Sequence, residues 1–152
     1  MRSVTFAGLH HLKLPVGDLA ASVEWYQRVL LATVFPEADH HTPAGVLSAR
    51  MLRLPGVDTL IELRHSPTTA RAVRDYDPIT LAVTGLSELT AWVEHLDRLD
   101  VRHSPVLRSM IGHLVVVPDP DGVAIRLHTL PSPELRLDPT RADFDSPWLT
   151  LP

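Results

Sequence analysis

The chain repeats itself. Placing Val16 on Val83 brings Leu19 onto Leu86 and Trp25 onto Trp92, an offset of 67 residues, and placing Leu-Ile-Glu-Leu (60–63) on Ala-Ile-Arg-Leu (124–127) gives an offset of 64. A repeat of about 65 residues constrains the fold more than any single motif, because each copy is one supersecondary unit. Each copy reads as βαβββ. In the first, apolar residues alternate between Leu9 and Val16 as on a half-buried strand. Asp18 then caps a helix from about Leu19 to Leu30, with Leu19, Val23, Tyr26 and Leu30 on one face. Strands are expected at Thr33–Phe35, Val46–Leu54 and Thr59–His65, the last two joined by the turn Pro55-Gly56-Val57-Asp58. The polar, proline-flanked segment SPTTARAVRDYDP reads as a linker. The second copy runs through a strand at Ile79–Val83, a helix capped by Ser87 from about Glu88 to Leu99, and strands at Val101–His103, His113–Val117 and Val123–His128. Neither copy closes a sheet alone, so the copies are expected to curve against each other or against those of a second chain.

Composition narrows the chemistry. With 152 residues, 45% apolar and 21% charged, the chain suits a globular domain, and a net charge of −4 favours neither nucleic acid nor an anionic membrane as partner. There is no cysteine, which excludes disulfides, thiolate catalysis and Cys-ligated zinc and suits a reducing cytoplasm. The opening MRSVTFAGLHHLKLP lacks the apolar core of a signal peptide, and no apolar run approaches the roughly 20 residues of a membrane span. The expectation is a soluble, cytoplasmic protein. The proline-rich tail, 131–152, reads either as a frayed end or as an extended strap anchored by Phe144 and Trp148.

A duplicated βαβββ unit that opens with HHLKLPVGDLAASVEWYQRVL and closes with VVVPDPDGVAIRLHT resembles the vicinal oxygen chelate superfamily. That group includes glyoxalase I, bleomycin- and fosfomycin-resistance proteins and extradiol dioxygenases. The resemblance implies an α+β fold: tandem modules, about 8–66 and 77–130, forming curved mixed sheets around a cavity in one domain, 1–130. It also implies a homodimer whose cavities draw on both chains. Metal-dependent members carry one ligand on the first strand of each half and one near the end of each half's last strand. Carried over position by position, these places hold His11, Glu62, Pro78 and Arg126. Proline has no donor atom, a guanidinium is a permanent cation, and two protein ligands seldom hold a catalytic metal. Two alternatives stay open: no metal or other cofactor, or a divalent ion on His11 and Glu62 with His128 or His113 as substitute ligand.

Adjacent strand residues point to opposite faces, so His10 and His11 are not expected to grip one ion together. His40 and His41 read as solvated loop residues. By the same parity, His11, Lys13, Glu62, Arg64, Thr80, Ala82, Arg126 and His128 face the cavity, with Met51 and Met110 as apolar walls. A Glu62–Arg126 ion pair is expected in place of the metal. The surplus of cations favours a small ligand with a carboxylate, phenolate or enolate, bound partly through Lys13, Arg64 and Thr80. If chemistry occurs, the expected catalytic residues are His11, Glu62, Arg126 and His128, with His11 or His128 moving a proton near neutral pH and Arg126 stabilising an oxyanion. The expected function is binding of a small anionic or aromatic molecule, by a binder or a metal-free acid–base enzyme. The alternatives are a metal-dependent lyase or dioxygenase with a rearranged His/Glu site and a scaffold that uses only the fold.

Overall fold

In the first repeat, β1 (His11–Val16) leads through Asp18 into α1 (Leu19–Val29), and Asp18 Oδ1 accepts the Ala21 N–H at 3.0 Å, as an N-cap does. The chain continues through β2 (Thr33–Val34), a single 3-10 turn, β3 (His40–His41), β4 (Leu47–Arg53), β5 (Leu60–His65) and α2 (Pro67–Ala72). In this computed structural model, which describes residues 4–131, 140 and 142–149, the chain divides into two units at Ala72 and Val73.

The sheet of the first unit runs β1-β5-β4-β2, with β3 beside β4; β1 and β5 are parallel and β4 is antiparallel to β5. Period-two alternation sorts its side chains. Leu14, Val16, Leu52, Ile61 and Leu63 form the buried apolar face, with Val23, Tyr26 and Val29 of α1 completing the core. Each such burial contributes roughly 1.5–3 kcal/mol. The other face carries His11, Lys13, Glu62 and Arg64.

The second unit repeats the plan with β6 (Ile79–Val83), α3 (Leu86–Arg98), β7 (Leu107–Arg108), β8 (His113–Pro118) and β9 (Ala124–Thr129). Its sheet runs β6-β9-β8-β7, again with first and last strands parallel and β8 antiparallel to β9. Ile79, Val115, Val117, Ile125 and Leu127 make the buried face, and α3 adds Leu89 and Leu96. Two mixed sheets with few helices form the α+β fold of tandem βαβββ modules. No helix among the described residues is long and apolar enough to cross a membrane.

Four local expectations are corrected. The supposed linker contains α2: Pro67 suits the first helical position, and Ala70, 1% exposed, anchors the short helix. Residues 101–103 form no strand, because Ser104 meets Val116 with both its N–H and its hydroxyl and Pro105 ends any ladder; the pairing is made by Leu107 and Arg108 instead. Helix α3 begins at Leu86, two residues earlier than expected, with Gly85 rather than Ser87 at the N-cap position. His40 and His41 pair with Ala49 and Leu47 as a short strand.

The described part of the tail is anchored at one of its two expected points. Trp148 and Leu149 pack against Leu107, Leu114 and Val116, and the Arg102 guanidinium lies 4.7 Å from the Trp148 ring. Asp143 accepts the Arg108 N–H on its carboxylate and donates its own N–H to the Arg108 carbonyl. Phe144 is 51% exposed. The strap expected over 132–139 lies outside the described residues.

Candidate functional site

Glu62 stands in the middle of β5, with Lys13 opposite it on β1 and Met51 opposite it on β4. Its side chain is fully buried. Arg64, two residues along the same strand and so on the same face, donates from Nε to Glu62 Oε1 at 2.6 Å. Arg64 Nη2 lies 2.7 Å from His40 Nδ1, which must be the acceptor because a guanidinium only donates. The second oxygen, Oε2, has His11 Nε2 at 3.1 Å and Lys13 Nζ at 4.0 Å. Neither contact makes a hydrogen bond, so Oε2 is a buried acceptor with no hydrogen-bond partner among the described residues. Arg64 and Lys13 together outnumber the single carboxylate charge, and the face is net positive.

His10 and His11 depart from the opposite-faces expectation, because the strand starts only at His11. Their Nδ1 atoms approach to 2.7 Å, so one ring donates and the other accepts. A proton on His11 Nε2 avoids setting a lone pair against the Glu62 carboxylate, which makes His11 Nδ1 the acceptor and His10 the donor.

Arg126 holds the equivalent place on β9, between Thr80 of β6 and Val116 of β8. Its Nη2 pairs with the Asp77 carboxylate, and its buried Nε has no hydrogen-bond partner among the described residues. Within its own unit Glu62 has Arg64, His11 and Lys13 around its carboxylate, and Arg126 pairs with Asp77. His128, on the same face of β9, lies between the Thr129 carbonyl and the Ser109 hydroxyl. Thr80 is exposed on β6, and Met110 is 41% exposed in the turn between β7 and β8. Met51 is buried beside Glu62. His113 does not share the His128 face, since it is Leu114 that lies opposite His128. His10, His40, Asp77 and Ser109 were missed by sequence reasoning. Only Asp77 carried a signal, as the neighbour of the ligand place held by Pro78.

The donor set can be tested against the metal of the metal-dependent relatives. Among the described residues no group of three or more His, Asp or Glu side chains is placed to hold an ion. His11 and Glu62 supply two donors, and the Lys13 ammonium stands beside the one carboxylate oxygen that is free to coordinate. Pro78 supplies none, and Arg126 is a cation. These residues do not fit a resident divalent metal.

Among curated proteins none matches the sequence. Solved structures do. The fold is similar to a glyoxylase/bleomycin resistance protein/dioxygenase domain from Frankia sp. EAN1pec, at 20% identity over 82% of this chain and 98% of that one, with a TM-score of 0.65. It is similar to TnmS3, an antibiotic binding protein from Streptomyces sp. CB03234, at 20% identity over 86% and 100%, with a TM-score of 0.68. It is also similar to the fosfomycin resistance protein FosX from Listeria monocytogenes in complex with Mn(II), at 20% identity over 88% and 98%, with a TM-score of 0.67. At that identity the likenesses bear on fold alone. The sequence itself matches the Glyoxalase/Bleomycin resistance protein/Dioxygenase superfamily over residues 8–127, and the chain belongs to that family.

Proposed function

We propose that this protein binds a small organic anion on the Glu62 face without a divalent metal. The observation that carries the reading is Glu62 Oε2, buried and without a hydrogen bond, with Lys13 and Arg64 around its carboxylate. A buried acceptor left unsatisfied costs about 1–3 kcal/mol, and a ligand O–H or N–H that reaches it recovers that cost. The surplus cations attract an anionic group on the same molecule. A carboxylate or phenolate with an adjacent hydroxyl meets both demands, and Met51 offers an apolar contact. If the bound molecule is turned over, Glu62 Oε2 is the atom that accepts its proton, with Lys13 beside the developing oxyanion. The working form is a cytoplasmic homodimer, which sedimentation of the full chain checks.

A thermal-shift screen of hydroxycarboxylates, nitrophenolates and their neutral isosteres tests the proposal, because a ligand that binds the native state raises its apparent stability. The expected result is stabilisation by the anions alone, weakened in Lys13→Ala and abolished in Glu62→Gln. Equal stabilisation by neutral isosteres, or hits indifferent to both substitutions, contradicts it.

A further inference from the structure

The second unit holds a hydroxyl and an imidazole in the relation of nucleophile to base. Ser109 Oγ lies 2.8 Å from His128 Nε2, and His128 Nδ1 lies 2.6 Å from the Thr129 carbonyl oxygen. A carbonyl only accepts, so Nδ1 carries the proton and Nε2 of the neutral ring presents its lone pair to the serine O–H. The ring is thus oriented from behind by a third group, the arrangement that activates a weak nucleophile. The turn that carries Ser109 is held in place. The Ser109 N–H donates to the Gly112 carbonyl at 2.8 Å, and the Ile111 N–H donates to Ser109 Oγ at 3.2 Å. The other acceptor within reach of the hydroxyl, Gly112 O at 3.2 Å, is the more distant of the two. Gly112 is required by close approach: a Cβ there would stand 2.3 Å from Thr129 Oγ1 and 3.2 Å from His128 Cε1. Only glycine lets the turn lie directly on the end of β9. Met110 and Ile111, each 41% exposed, give the turn an apolar rim. Arg126 sets a cation two residues earlier on the same strand face, about 7 Å along it.

We propose that Ser109 and His128 form a nucleophile–base pair that takes the acyl group from a small ester. Ser109 Oγ bonds to the ester carbonyl carbon while its proton passes to His128 Nε2. The bond to the alcohol oxygen then breaks, and the alcohol leaves with that proton. Water adds to the acyl-serine, delivering its proton to Nε2, and release of the acid returns the hydroxyl. Nothing beyond ester and water is consumed. The pair shares no residue with the Glu62 proposal, so either proposal can fail alone.

The test uses the full chain with p-nitrophenyl acetate and a fluorophosphonate probe, read by nitrophenolate release and by peptide mapping. The expected result is an adduct on Ser109, absent in Ser109→Ala, with nitrophenolate release slowed at least about 100-fold in His128→Phe. His128→Gln serves should the Phe variant fail to fold. No adduct, an adduct elsewhere, or a Ser109 adduct formed at an unchanged rate in the folded His128 variant overturns the proposal.

Discussion

Lys13 lies directly across from Glu62 on the neighbouring parallel strand, its Nζ 4.0 Å from the carboxylate oxygen that accepts no hydrogen bond. Arg64 holds the other oxygen. The whole cluster is made by two paired strands and needs no distant partner, which is why its members are predicted to separate cleanly on mutation.

Glu62→Leu removes the acceptor of Arg64. Because the Arg64 side chain is 37% exposed and can turn to water, the loss is discounted to about 1–2 kcal/mol. Urea unfolding measures it, and anion binding disappears in the same variant.

Lys13→Ala is expected to leave stability within about 0.5 kcal/mol, since that side chain is 57% exposed. Anion affinity falls roughly five- to tenfold, and wild-type affinity weakens with added salt as the charges are screened. Titration calorimetry at two ionic strengths reads both.

The legible part of this molecule is the part set by local period and local chemistry. Leu12, Leu14 and Val16 announce β1, Asp18 announces α1, and strand parity alone puts His11, Lys13, Glu62 and Arg64 on one face. What stayed hidden depends on where a chain enters or leaves an element. His10 escapes the alternation because β1 begins one residue later, and Asp77 reaches Arg126 from the segment before β6. Ser109 meets His128 only because a glycine turn folds onto β9, 19 residues downstream. Arg126 was matched to Glu62 from the symmetry of the repeat, and its pairing with Asp77 was not anticipated.

Asp18→Ala removes the side-chain acceptor of the Ala21 N–H and is predicted to cost about 1 kcal/mol of stability, with no effect on ligand affinity. Chemical denaturation beside a binding assay checks both halves.

Trp148→Ala strips the tail's anchor from Leu107, Leu114 and Val116 and from the Arg102 guanidinium. Stability is expected to fall by about 1–2 kcal/mol, and binding of a hydrophobic dye to rise as that apolar cluster is uncovered.

The most direct measurement is titration of the full chain with Mn(II), Ni(II) and Zn(II) by calorimetry, run on wild type and on His11→Ala and Glu62→Gln. A cationic face with two donors predicts no stoichiometric site that either substitution removes. One equivalent of metal bound by wild type and lost in both variants would contradict it.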